Sequence, residues 1–94
     1  MATTFDQISK RIIKEQELII GPVAWDEARK VNGLTVVNPN TGEVSVSGDG
    51  KQTVDSLVGR YTRLFGQASR EVCREAVQDI LADMKAEEVP ASLA

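Results

Sequence analysis

The middle of the chain carries the pattern of a β-hairpin placed between two helical stretches. Residues 34–37 and 44–46 are rich in β-branched side chains, and between them Pro39 takes the second position of a turn and Gly42 its exit. We therefore predict a hairpin over residues 34–47. An isolated two-stranded ribbon is marginal in water, so this one must lie on the helices or pair with something else.

Apolar residues recur at helical spacing on both sides of the hairpin. Gly21 and Pro22 end the first helix and begin a shorter second one, because proline lacks the donor that a helix interior needs but suits a first turn. After the hairpin, Gly66 separates two further amphipathic stretches. The predicted helices cover residues 4–20, 22–31, 51–65 and 68–86.

These elements make an α+β fold that is mainly α. A chain of 94 residues has the length of a single domain. We expect residues 1–87 to form one helical domain with the hairpin as an insertion. Residues 88–94 lack periodicity, which predicts a frayed C-terminal tail.

The stretches around Gly21 and Gly66 resemble each other at an offset of 45 residues. Each is an amphipathic helix, then a glycine, then a helix with small residues on one face, which lets two helices approach closely. The matched small residues are Ala24 with Ser69 and Ala28 with Cys73. Either the chain consists of two helix-turn-helix halves around an inserted hairpin, or two ordinary helix–glycine–helix joints coincide.

The segment Ile20-Gly21-Pro22-Val23-Ala24 follows a charged amphipathic helix. It resembles the Ile-Gly-Pro-x-Ala element of small uncharacterised helical modules at the ends of bacterial signalling proteins, such as serine/threonine kinases and cyclases. The match is short and does not continue through the hairpin. The resemblance implies a bacterial signalling or assembly accessory, and it carries over no catalytic or binding residue.

The composition is poor in the residues that carry chemistry. Histidine is absent and there is one cysteine, which removes the commonest general base, the commonest metal ligand and any internal disulfide. Cys73 falls on an apolar helical stripe, as do Phe5, Tyr61 and Phe65, which favours packing for all four, although Tyr61 has a ligand contact as its alternative role. We therefore predict no catalytic residue, no cofactor and no metal site, and a protein that is not an enzyme.

Charge and hydropathy narrow the range of partners. The chain has 14 acidic and 11 basic residues, a net charge of −3, whereas nucleic-acid binding typically needs a basic surplus or stripe. Its longest apolar run, residues 18–20, is far shorter than the roughly 20 residues that cross a bilayer. No charged segment followed by an apolar one begins the chain, so we expect no secretory signal and a cytoplasmic protein.

The last predicted helix carries a row of acidic residues at i, i+4 spacing. This row consists of Glu71, Glu75, Asp79 and Asp83. It is either a docking stripe for a basic partner, such as the basic cluster at residues 10–14 of another subunit, or a solvated outer face. Like charges at this spacing cost an isolated helix a few tenths of a kcal/mol per pair, and Arg70 and Arg74 relieve part of that repulsion.

Two further features have two interpretations each. Trp25, just after Gly21-Pro22, is either a partly exposed interface anchor or the side chain that fixes the short helix to the core. Residues 48–53 place glycines and Lys51 at a helix start, which makes either an anion-binding nest or a plain loop; the spacing of a phosphate loop is absent.

The favoured hypothesis is a protein-interaction or oligomerisation module. Helices of about 25 Å are long for a compact chain of this size, and the hairpin needs a surface to pair with or lie on, so we expect a homodimer, with another protein as a further partner. Trp25 and the acidic row are its candidate interaction surface. The alternative to a dimer is a monomer in which the helices cover one face of the hairpin.

Two other classes of function remain as alternatives. A winged-helix-like DNA-binding regulator would use residues 64–69 as a helix-turn-helix joint and the hairpin as a wing, with Arg70 and Arg74 exposed beside other cations. A small ligand-binding protein or enzyme would need a concave pocket with converging polar groups.

Overall fold

The computed structural model describes residues 4–94, and over them the predicted α+β, mainly α fold is confirmed. The chain order is α1 (Thr4–Ile20), α2 (Val23–Ala28), β1 (Leu34–Asn38), β2 (Glu43–Val46), α3 (Gly50–Phe65), α4 (Gln67–Ala76) and α5 (Gln78–Ala82). Short 3-10 turns follow at Ala86–Glu88 and Ala91–Leu93.

The core lies where the apolar stripes of α1 and α3 meet α2 and α4. Ile8, Ile12 and Ile13 of α1 are fully buried, as are Leu57 and Val58 of α3. Burial of each such side chain stabilises the fold by about 1.5–3 kcal/mol. The helical periodicity read from the sequence therefore gives the correct inward faces.

The hairpin lies on α1. Its two strands pair antiparallel with Leu34 opposite Val46, and Leu34 and Val44 turn inward into the core. The Asp6 carboxylate of α1 accepts the backbone N–H of Val46 at 2.7 Å, which fixes the ribbon to the helix. The monomer thus supplies the cover that a two-stranded ribbon needs, and the hairpin gives no reason for a dimer.

Helix length gives no reason for a dimer either. A helix of 17 residues is about 25 Å long, and α1 fits within a body whose longest extent is 32 Å. The expectation that the helices outgrow one chain is therefore wrong. A dimer would therefore have to be supported by features of the protein surface.

The helix predicted over residues 68–86 is interrupted at Val77. This residue has φ −120° and ψ 12°, outside helical geometry, and it separates α4 from α5. The Val77 side chain is fully buried, and beyond the break Ile80, Leu81 and Met84 still pack partly against the core. The bend keeps the apolar side of α5 on the body of the protein, an effect of tertiary packing that outweighs the helical pattern.

The expectation that residues 88–94 are frayed is wrong. Pro90 and Leu93 are buried, and Leu93 exposes only 1% of its surface. Asp55 and Arg70 bind the backbone of Ser92. Because the segment has no helical period, its packing could not be inferred from periodicity.

Two glycines, one inside α3 and one at its C-terminal cap, allow a direct test of stability. Gly59 lies inside α3 without positive φ, and a Cβ there meets nothing within 4 Å, so Gly59→Ala should stabilise the protein by about 1 kcal/mol. Gly66 has φ 92° and ψ 179°, a region that is essentially reserved for glycine, so Gly66→Ala should destabilise it by about 1–3 kcal/mol.

Urea unfolding of the two variants beside the unsubstituted chain measures both effects. If both substitutions shifted the unfolding midpoint equally and in the same direction, the conformations described for Gly59 and Gly66 would be contradicted.

Candidate interaction surface

Two buried hydrogen bonds join the two helical halves of the chain, α1 with α2 and α3 with α4. They lie at the glycine joints of these halves, Gly21 and Gly66. Gln16 Nε2 in α1 donates to the carbonyl oxygen of Ser69 in α4 at 3.1 Å. Tyr61 Oη in α3 donates to the carbonyl oxygen of Ala24 in α2 at 2.6 Å. Each donor lies five residues before its glycine and each acceptor three residues after the other glycine. The two contacts are therefore equivalent and exchanged between the halves.

This exchange gives the two halves an approximate two-fold relation. Gly21 and Gly66 both have positive φ, 78° and 92°. The matched residues Ala28 and Cys73 are both fully buried. The sequence similarity at an offset of 45 residues thus has a counterpart in the geometry of the two joints, although α4, with 10 residues, is longer than α2, with six.

Large apolar side chains are exposed at the ends of both long helices. In α1 and just after it, Leu18 is 80% exposed, Ile19 60% and Val23 36%. At the end of α3, Leu64 is 50% exposed and Phe65 41%. We call these five residues the apolar end. The two hydrogen bonds between the joints tie the C-terminal part of each long helix to the helix that follows the other.

The five residues of the apolar end together expose an apolar area comparable to that of a functional patch. Side chains of this kind present about 150–200 Å² each when fully exposed, so the five leave on the order of 450 Å² in solvent. Patches of a few hundred Å² are the largest that a typical monomer exposes, and they often bind a partner.

Sequence reasoning missed this surface and assigned Phe65 to packing, which is wrong. Ile19, Leu64 and Phe65 do lie on apolar stripes, but the stripes of α1 and α3 extend about one turn beyond the core. The one sign of this surface in the sequence is Leu18, an apolar residue that lies off the stripe that Ile8 and Ile12 define.

Charges of both signs flank the apolar end. Lys14 and Glu15 lie one helical turn before Leu18 and Ile19, and Arg63 precedes Leu64. All three charged side chains are exposed, and none takes part in an ion pair within residues 4–94.

The acidic row is not a continuous stripe. All four residues are exposed, but the break at Val77 separates Glu71 and Glu75 on α4 from Asp79 on α5, and Asp83 lies just after α5 ends. The Asp79 carboxylate lies 2.6 Å from Arg11 Nη1 of the same chain, and this hydrogen bond lowers its pKa. One member of the proposed basic partner cluster therefore already pairs with the row inside the monomer.

Trp25 belongs to the core. Only 4% of its surface is exposed, and its Nε1 donates to the Glu17 carboxylate at 2.7 Å. The exposed-anchor interpretation is therefore wrong, and the side chain fixes α2 to α1. Of the candidate surface read from the sequence, the acidic residues remain on the outside and Trp25 does not.

The Cys73 thiol is poorly suited to nucleophilic chemistry. It is fully buried, and burial raises its pKa to about 11, while a hydrogen bond from Gln16 Nε2 at 3.3 Å partly opposes that rise. Burial also raises the pKa of Tyr61. Both side chains thus stay neutral near pH 7, and both are part of the contact between the halves.

Glu27 is the best partnered charge in the structure and joins α2 to α3. It is 8% exposed and accepts hydrogen bonds from Lys30 Nζ at 3.1 Å and Arg60 Nε at 2.8 Å. The hydrogen bond from Lys30 is the largest cause of a lowered pKa for Glu27. An ionised carboxylate held by two cations is a structural link, and it offers no free acid or base.

Within residues 48–53 only Gly48 and Asp49 are loop, since Gly50 begins α3, and the polar groups of this segment are engaged within the chain. The Asp49 carboxylate accepts the N–H of Gln52 at 3.2 Å, so the chain caps α3 itself. Lys51 Nζ donates to the carbonyl oxygen of Glu87 at 2.9 Å. The plain-loop interpretation describes Gly48 and Asp49.

The two arginines that the DNA-binding hypothesis invokes do not lie side by side in the open. Arg70 is half-buried, and its Nε donates to the carbonyl oxygen of Ser92 at 2.7 Å. Arg74 is exposed, but it lies between Glu71 and Glu75. The two arginines therefore do not form a free cationic face at the start of a helix.

Within the described residues, no group of three or more metal-ligating side chains comes together. No helix among them is long and apolar enough to pass through a membrane. Comparison with protein-family models, with curated proteins and with solved structures finds no match for this chain.

Because Cys73 is buried, the protein loses stability at alkaline pH. In the unfolded chain the thiol ionises at its ordinary pKa of 9.0, whereas in the folded chain it keeps its proton up to about pH 11. The folded state is therefore favoured below pH 9, and about 2–3 kcal/mol of that stability is lost as the pH rises from 9 to 11.

Urea unfolding at several pH values measures this loss, with Cys73→Ala as the comparison. The variant should lose stability less steeply over this interval, because only Tyr61 then contributes a raised pKa. Parallel pH profiles for the two proteins would contradict the inferred state of the thiol.

Proposed function

We propose that this protein is a non-enzymatic interaction module that forms a homodimer through the apolar end. The observation that carries the proposal is the exposure of large apolar side chains at the C-terminal ends of both α1 and α3. Water contact with these side chains is unfavourable, and a partner that covers them recovers about 25 cal/mol per Å² of buried apolar surface.

A second copy is the occupant that this surface fits. The apolar end takes equivalent residues from both halves, Ile19 from one and Leu64 from the other, so it lies across the approximate two-fold relation. A symmetric dimer uses the same patch on each subunit. The patch supplies roughly half of the ~800 Å² per subunit that a standard interface buries, and the polar rim would supply the rest.

Charge supports the same arrangement. Glu15 of α1 and Arg63 of α3 flank the apolar end, are exposed and carry opposite signs, so two copies related by a two-fold axis can bring each against the other. A partner with one sign of charge would repel part of this rim. Pairing at such an exposed rim selects orientation more than it adds affinity.

The setting we propose is a bacterial signalling or assembly complex in the cytoplasm, in which the dimer links other proteins. The short resemblance around Gly21 supports a role in a bacterial signalling or assembly complex. The lone cysteine supports the cytoplasmic location, because small secreted domains more often carry paired cysteines.

A charged residue at the apolar end should prevent dimerisation. The chain has a mass of 10.2 kDa, so light scattering after gel filtration at micromolar concentration should give about twice that mass. The double variant Leu18→Glu/Leu64→Glu should give a mass near 10.2 kDa, since a carboxylate at both helix ends cannot be buried without a partner.

Val37→Glu is the matched control. Val37 is 54% exposed on the hairpin and lies outside the apolar end, so this variant should remain dimeric. A monomeric unsubstituted chain would contradict the proposed homodimer. A dimer that survives the double variant would show that the interface lies elsewhere.

A further inference from the structure

The segment that follows α5 occupies a groove between α3 and α4. We call Pro90, Ala91, Ser92 and Leu93 the strap. Pro90 and Leu93 are buried in the groove, whereas Ala91 is exposed. Residues Ala91–Leu93 form a 3-10 turn in which the Leu93 N–H donates to the Pro90 carbonyl oxygen at 3.0 Å, so Pro90 and Leu93, three residues apart, lie on the same side of the turn and enter the groove together.

Two charged side chains bind the main chain of one strap residue from both sides. Asp55 Oδ1 in α3 accepts the backbone N–H of Ser92 at 3.0 Å and its hydroxyl at 2.6 Å. Arg70 Nε in α4 donates to the Ser92 carbonyl oxygen at 2.7 Å. Such charge-assisted contacts to backbone groups hold the turn in the groove, while the adjoining apolar pocket takes the next side chain, that of Leu93.

The groove continues past the strap. A depression of about 470 Å³ adjoins Ala91 and Ser92 and runs along the facing sides of α3 and α4. At its floor, Gly59 has open space above it, with no atom within 4 Å of a Cβ placed there. The groove therefore has room for a ligand that extends farther than the strap.

We propose that the α3–α4 groove is a peptide-docking site and that the strap occupies it as an internal ligand. The partner is a segment of another protein with the pattern Pro-x-Ser-Leu that forms the same turn and continues into the depression beside Gly59. The strap itself supports this chemistry, because its proline and leucine enter the groove and its serine binds Asp55. This site is separate from the apolar end and does not depend on the proposed dimer.

The tethered strap competes with any such partner. A short linker gives a tethered ligand an effective concentration in the millimolar range, so the intact chain binds a peptide of the same sequence weakly. A partner gains over the strap by the contacts that it makes in the continuation of the groove. A partner must therefore bind the groove more tightly than the tethered strap does.

Fluorescence anisotropy with a labelled peptide tests the proposal on the full chain. The peptide copies residues 89–94 and has blocked ends. Leu93→Asp should release the strap, because a carboxylate cannot enter the apolar pocket, and this variant should bind the peptide at least about tenfold more tightly than the unsubstituted chain.

Matched variants identify the recognition contacts. Adding Asp55→Ala to Leu93→Asp should abolish binding, whereas adding Ser56→Ala, at the exposed neighbouring position, should leave it unchanged. Arg70→Ala and Arg74→Ala form a second pair with the same expected contrast. A peptide in which the copy of Leu93 is replaced by Asp should not bind.

A folded Leu93→Asp variant that fails to bind the peptide at millimolar concentration would overturn the proposal. If that variant does not fold, amide NMR of the unsubstituted chain decides. Excess peptide should shift the amide signal of Ser92 to that of a released strap, and an unchanged signal would overturn the proposal. A dimer that is lost in Leu93→Asp but kept in Leu18→Glu/Leu64→Glu would show strap exchange between copies and would also overturn it.

Discussion

The fold depends on two polar side chains that cross between its halves. Gln16 and Tyr61 each extend from a long helix to a backbone carbonyl beyond the opposite glycine joint, in a region closed to water. A buried amide or hydroxyl without an acceptor would cost about 1–3 kcal/mol, so each half supplies the group that the other half needs. These two contacts set the distance between the joints. The same arrangement leaves the final turns of α1 and α3 beyond the core, and this is why the apolar side chains there meet solvent.

Most of the elements follow from the sequence, because their signals are local. The stripe of α1, the stripe of α3 and the Pro39–Gly42 turn gave the two long helices and the hairpin close to their observed bounds. The break at Val77 carries no proline or glycine and follows from the burial of a side chain in a tertiary contact. The packing of the strap had no local signal at all, since it depends on Asp55 and Arg70, 37 and 22 residues away in the chain.

The surface was harder to predict than the fold. A helical stripe specifies which direction a side chain faces, but it does not specify how far along the helix the core extends. Phe65 therefore read as a core residue and is 41% exposed. Trp25 read as a possible anchor and is covered by the α1–α2 corner, where Glu17 accepts its indole N–H. The acidic row was correctly placed outside, yet its value as one docking stripe required an unbroken helix.

The approximate two-fold relation also affects how the polypeptide assembles. Neither half is complete alone, because each would expose the buried face that the other covers and would leave either Gln16 or Tyr61 without its acceptor. The hairpin tip at Asn40 and Thr41 is exposed and is the link between the halves that takes least part in the core. A chain opened at this tip would give two fragments with matching surfaces. The protein therefore has the layout of a split reporter, in which recovery of structure depends on the meeting of two pieces.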